Sequence, residues 1–144
     1  MKKSIVIIAI LVTVGAGYAI WKGADAADQK TAQAPETGAA LVEVKLPGTL
    51  SQNAEIGKAA FEAKCSACHG ANAAGQDGVA PPLVHKIYEP GHHGDESFQR
   101  AAANGVRAHH WRFGDMQPVE GVTRGDVTMI IAYIRELQRA NGIY

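Results

Sequence analysis

The only two cysteines in this 144-residue chain share one short window, "EAKCSACHG", as Cys65 and Cys68, with His69 directly after the second. Two thiols and an imidazole at this spacing could serve four kinds of chemistry. A dithiol redox pair belongs after a strand, with its first cysteine opening a helix in a βαβ pattern. The residues before Cys65 are instead rich in Ala, Glu and Lys and read as a helix. A zinc site needs two further ligands, which His92-His93 or His109-His110 could supply, but adjacent side chains point in different directions. A structural disulfide closing so short a loop removes little entropy from the unfolded chain and stabilises little. The fourth chemistry uses all three residues, because C-x-x-C-H is the attachment signature of c-type haem. The thiols add across the two vinyl groups as thioethers, and the following imidazole lies beneath the iron as an axial ligand. Ser66 and Ala67, the spacer, are small and uncharged.

What fills the sixth position of such an iron decides its use. An open position admits small ligands, whereas a filled one favours outer-sphere electron transfer. Met1 lies outside the haem-binding part of the chain, and Met129 falls near the apolar stripe of a helix, where methionine fills core space. Met116 sits in the turn-rich "RFGDMQPVEG", which could fold over the haem. His85, His92, His93, His109 and His110 are the competing donors. A methionine opposite the histidine raises the reduction potential relative to two histidines.

These groups must be positioned by helices. Ser51 or Asn53 can cap a first helix with Glu55 in its first turn, and Gly57 and Phe61 share a face. A glycine inside a helix costs on the order of 1 kcal/mol relative to alanine, so Gly57 predicts close approach of another helix. The last helix is the expected partner. "TRGD", Thr123 to Asp126, reads as a capping box, and Val127, Ile130, Ile131, Ile134 and Leu137 follow at helical period, with Gly142 after the end. Between them a helix is expected over 96–104, capped by Asp95, with Phe98 and Ala102 on one face and Gly105 as the stop. No segment alternates like a strand. The 94 residues from Ser51 to Tyr144 carry few large apolar side chains outside these helices. A chain this small buries proportionally little surface, so the haem itself is the expected centre of the core.

From about Asn53 to Gly142 the chain resembles the class I cytochromes c, small helical electron carriers. The pieces that carry the resemblance occur in order: "GKAAFEAKCSACHG", "GVAPPL", "SFQRAAANGV", "FGDMQP" and "VTMIIAYIRELQ". The resemblance implies an all-α fold of three main helices wrapped around one covalently bound haem c, with the two terminal helices crossing at an aromatic contact that Phe61 and Tyr133 match. It also implies Cys65 and Cys68 as thioether positions and His69 and Met116 as axial iron ligands. In the family the ligating imidazole donates its other N–H to a proline carbonyl about a dozen residues on, a position matched by Pro81, with Pro82 beside it. Gln117 stands where proline commonly follows the methionine, and Pro118 comes one residue later. Trp111, Arg107 and Arg112 lie near the ligand loop and could meet a haem propionate.

The chain opens "MKKSIVIIAILVTVGAGYAIWKG", two lysines before an uncharged run, which is the layout of an export signal or membrane anchor. Residues 1–21 are read as that segment, 22–50 as a flexible linker and 51–144 as the haem domain. The 17 residues from Ile5 to Trp21 are at the short end for a span and slightly long for a signal core. "ADA", Ala24 to Ala26, offers a cleavage site, so a soluble periplasmic protein starting near there is the alternative. The linker composition favours the anchor, since only a tethered carrier needs reach. The expected setting is the periplasmic face of a bacterial inner membrane. The resemblance implies a one-electron carrier rather than an enzyme, serving membrane redox complexes such as a quinol–cytochrome c oxidoreductase and a cytochrome oxidase or reductase. A permanent haem subunit of a larger complex, or a haem enzyme or gas sensor with an open iron site, are the alternatives. The chain has no nucleotide-binding glycine fingerprint and no catalytic serine or cysteine arrangement. Fourteen basic and fourteen acidic residues give zero formal charge, which does not suggest nucleic-acid binding.

Overall fold

The computed structural model describes residues 38–144, which fall within one compact unit. Residues 1–21, read as an anchor or signal, and the first part of the linker lie outside the described residues. The described elements are α1 (Gln52–Lys64), α2 (Ser66–His69), two 3-10 turns (Ala71–Ala73 and Lys86–Tyr88), α3 (Asp95–Asn104) and α4 (Arg124–Ala140). Among the described residues there is no strand, only isolated bridges between Gln76 and Ala80 and between Val106 and Met116. No described helix is long and apolar enough to cross a membrane.

The first helix starts where its cap chemistry dictates. Ser51 is extended, and its Oγ accepts from the Ala54 N–H. The same Oγ donates to Glu136 Oε1 at 2.7 Å and the Ser51 N–H to Glu136 Oε2 at 3.2 Å, so the cap is also tied to α4. At the start of α4 the capping box is complete: Thr123 Oγ1 accepts from the Asp126 N–H and Asp126 Oδ2 from the Thr123 N–H. The predicted stripe of Val127, Ile130, Ile131, Ile134 and Leu137 is buried throughout. The two helices meet where Ala54, Gly57 and Phe61 form one buried face of α1. A Cβ on Gly57 would stand 1.8 Å from the Met129 carbonyl oxygen, so only hydrogen fits between the backbones. One turn on, the Phe61 and Tyr133 rings pack tilted at 57° with centroids 5.8 Å apart.

The third helix departs from expectation by one residue. Gly94, not Asp95, is its N-cap, and no side chain caps it. Asp95 is instead its first helical residue, and its carboxylate accepts from Arg135 Nε at 2.9 Å. A long-range partner has taken the oxygen that local chemistry assigned to the cap. Arg135 is only 7 % exposed, and its guanidinium donates to the Tyr88 carbonyl (2.7 Å), the His93 carbonyl (2.6 Å) and Gln138 Oε1 (2.6 Å). Gln138, fully buried, adds its own bonds to the Leu83 and Tyr88 carbonyls. Together these side chains gather the 83–93 segment onto α4. Substituting Arg135 by Ala should cost about 2–3 kcal/mol, because buried acceptors lose their donor. Asp95→Asn should cost under about 1 kcal/mol, since that carboxylate is 67 % exposed and its ion pair is screened. Denaturant unfolding of the two variants measures the difference, and equal losses would mean the ion pair, not the carbonyl bonds, carries Arg135.

Residues 38–50, the end of the segment read as a linker, are attached to the helical body. Gly38 N–H donates to the Asp77 carbonyl and Asp77 N–H to Ala39, while Leu41 and Val42 both donate to the Ala74 carbonyl. Lys45 and Asn141 exchange two hydrogen bonds of 2.9 Å. Val44 and Leu50 pack against the core cluster. Among the described residues, 38–50 thus fall in the same compact unit as the helices. Backbone bonds, the Asn141 side chain and two isolated apolar contacts hold this strap, and none of these leaves a periodic signature in sequence.

Candidate haem site

The end of α1 runs directly into the cysteine window. Cys65 closes α1 through its N–H to the Phe61 carbonyl and stands at the start of α2, which ends at His69. Both cysteines are free; Cys65 is half-buried and Cys68 exposed. Burial, with the neighbouring Cys68 adding to it, pushes the Cys65 thiol up to about 11. Redox-active thiols are held as thiolates by a lowered pKa, so this environment disfavours dithiol exchange and suits a cysteine that ends as a thioether.

His69 is buried, and its Nδ1 lies 2.9 Å from the Pro81 carbonyl oxygen. A carbonyl only accepts, so Nδ1 carries the proton and the Nε2 lone pair is the one left for a metal. Burial lowers the His69 pKa and the Pro81 bond partly offsets it, which keeps the imidazole neutral and able to ligate. Pro82 is fully buried and makes no such bond with His69.

Cys65, Cys68, His69 and Met116 all line one cavity of about 1070 Å³. Phe61 from α1, Phe98 from α3, and Val127, Ile130 and Ile134 from α4 contribute apolar wall. Met129 is half-buried and lies outside the lining, at the contact with α1. Met116 is set by its backbone: Val106 and Met116 exchange N–H···O bonds of 2.9 Å in both directions, closing the loop between them. Gly105, at φ +73°, makes this possible, since a Cβ there would meet the Met116 carbonyl oxygen at 2.4 Å.

Several other proposed groups separate in the fold. His92, His93, His109 and His110 line the cavity, whereas His85 does not and packs its ring against Trp111 with centroids 5.1 Å apart. Arg107 and Trp111 line it too, but Arg112 is exposed and outside the lining. Trp111 Nε1 is buried with no hydrogen-bond partner. Tyr88 lies close enough for the indole to oppose part of the rise that burial imposes on its hydroxyl, yet outside bonding geometry. Reduced hydration, then the neighbouring His109, His93 and His92, lower the His110 pKa. Sequence reasoning weighed these histidines as zinc or iron ligands but did not anticipate that His92, His93 and His110 gather in one cluster, and it missed Arg135. Position 135 lies four residues after Ile131, at the edge of the apolar stripe, which is the signal that would have marked it as a buried cation.

These features fit a haem. The cavity matches or exceeds the roughly 300–1,000 Å³ of ordinary ligand pockets, its walls are mainly apolar, and free thiols and a tautomer-fixed imidazole stand on it. The orphaned Trp111 N–H is a buried donor of the kind a propionate would satisfy. No curated protein matches the chain in sequence. Residues 54–138, more than half of it, match the family model described as Cytochrome c. The chain belongs to the cytochrome c family, all-α and carrying a covalently bound haem c.

Proposed function

We propose that this protein is a one-electron carrier of a bacterial respiratory or photosynthetic chain, with His69 and Met116 as axial ligands. Haem-based electron transfer is the activity of the family. The observation that carries the finer reading is that Met116, held by paired backbone bonds to Val106, lines the same cavity as His69. The haem iron supplies the one-electron couple. Around it, the Pro81 carbonyl fixes the His69 ring and raises its donor strength. The apolar walls exclude water, and Trp111 Nε1 is available to a haem carboxylate.

Anchoring at the periplasmic face of the inner membrane, between a quinol–cytochrome c oxidoreductase and a terminal oxidase or reductase, fits the lysine-led apolar N-terminus. Histidine ligation is the second reading, favoured by the four histidines on the cavity. Met116→Ala decides between the two. Oxidised wild-type protein should show the weak long-wavelength sulfur-to-iron band. The variant should lose it and bind external imidazole or cyanide at least tenfold more tightly. An unchanged spectrum would place a histidine on the iron.

A further inference from the structure

We propose that His92, His93 and His110, on the wall of the haem cavity, form a second metal site distinct from the axial ligands of the haem iron, which takes one divalent transition ion of the zinc–copper class. Their ligand nitrogens all lie within 4.8 Å of one another, although the residues come from two segments 17 positions apart. Every pair of rings is in contact, with centroids at 4.7 Å (His92–His93), 5.4 Å (His92–His110) and 5.2 Å (His93–His110). Adjacent histidines were expected to diverge; here the turn after Tyr88 brings both to His110. Cys65 and Cys68 are not part of this group.

The site is already braced. His93 Nδ1 lies 2.6 Å from the Ile87 carbonyl oxygen, which accepts, so the Nδ1 proton is fixed and Nε2 is the ligand nitrogen. Such an outer carbonyl is the usual support of a metal-bound imidazole. The His92 and His93 N–H groups both donate to the Glu89 carbonyl, and buried Arg135 holds the His93 carbonyl from the other side. On the facing loop, Asp115 Oδ1 accepts from the Ala108 N–H at 2.8 Å, steadying the segment that carries His110.

Ligand chemistry selects the ion. The group contains imidazoles and no carboxylate, which suits zinc, copper or nickel and not the oxygen-seeking calcium or magnesium. Zinc–nitrogen bonds of about 2.0–2.1 Å place tetrahedral ligand nitrogens roughly 3.3 Å apart. His92 and His110 are exposed, so side-chain rotation can close that difference. His109 touches His110 with centroids 4.3 Å apart, and its Nδ1 is bonded to the Arg107 carbonyl. The fourth position is open to its Nε2 or to water. A bound ion would tie the 89–93 turn to the loop that ends at Met116.

The test uses the mature, haem-loaded protein and Zn²⁺ as the probe. Calorimetry and elemental analysis after dialysis should find one zinc per haem, bound at low-micromolar affinity or tighter. The melting temperature should rise by roughly 5–10 °C at saturation, with the visible spectrum unchanged. His92→Ala and His110→Ala should each weaken binding at least tenfold, and the double variant should abolish it. The metal-free melting temperature of the double variant, within about 2 °C of wild type, checks that it folds. Absence of zinc binding to the haem-loaded protein, or equal affinity in the double variant, overturns the proposal. A double variant whose visible spectrum changes before metal is added also overturns it, because the histidines would then serve the haem.

Discussion

Serine at both Cys65 and Cys68 should yield a chain that retains no haem through acid–acetone extraction and does not complete its fold. The thioethers are the only covalent hold these residues can provide, and the haem is what the walls of Phe61, Phe98, Val127, Ile130 and Ile134 close upon. Without the haem, these apolar walls would border a water-filled cleft of about 1070 Å³ and lose the burial that stabilises them, roughly 25 cal/mol per Å² of apolar surface. Intact mass should equal the polypeptide alone, and far-UV circular dichroism should fall to less than half the holoprotein's helical signal. Either single serine leaves one thioether and should lower the yield of coloured protein without abolishing it. A fully helical, cooperatively melting double variant would show that the walls stand without their centre.

The second large effect should come from one added methyl group. Gly57→Ala places a Cβ 1.8 Å from the Met129 carbonyl oxygen, 2.4 Å from its carbon and 2.9 Å from the Ile130 nitrogen. All three are backbone atoms of α4, so no side chain can swing aside. The helices must part by about 1.5 Å to reach normal contact. That loosens the Phe61–Tyr133 packing one turn away and the Ser51–Glu136 bonds at the helix start. Alanine is intrinsically the better helix former by about 1 kcal/mol, which offsets only part of the loss. The net destabilisation should be roughly 4 kcal/mol, above the usual range for overpacking because the obstacle is rigid. Denaturant unfolding of the haem-loaded variant measures it. A loss under about 1 kcal/mol would mean that the crossing has slack.

Local chemistry made much of this legible in the sequence. The Thr123–Asp126 capping box and the stripe from Val127 to Leu137 depend only on near neighbours, and both appear as read. The glycine at 57 announced a close crossing because nothing else explains its cost. Long-range partners account for what was missed. Asp95 looks like a cap until Arg135, forty residues on, takes its carboxylate. The His92–His93–His110 cluster exists only because a turn and a distant loop meet. Arg112 and Trp111 are equivalent by position, yet only Trp111 lines the cavity. Of the haem site, the attachment window stood out by spacing alone, while the methionine needed the family pattern to be chosen over five histidines.

The strap over residues 38–50 also decides how the domain bears mechanical load. Should the chain be held at its N-terminal end, a tug arrives first at Gly38 and meets the backbone bonds to Asp77. It passes next to those on Ala74, and last to the Lys45–Asn141 pair at the end of α4. None of these residues lines the haem cavity. Under tension the strap would therefore peel away one bond at a time while the cavity keeps its spacing, acting as a fuse that yields before the redox centre does.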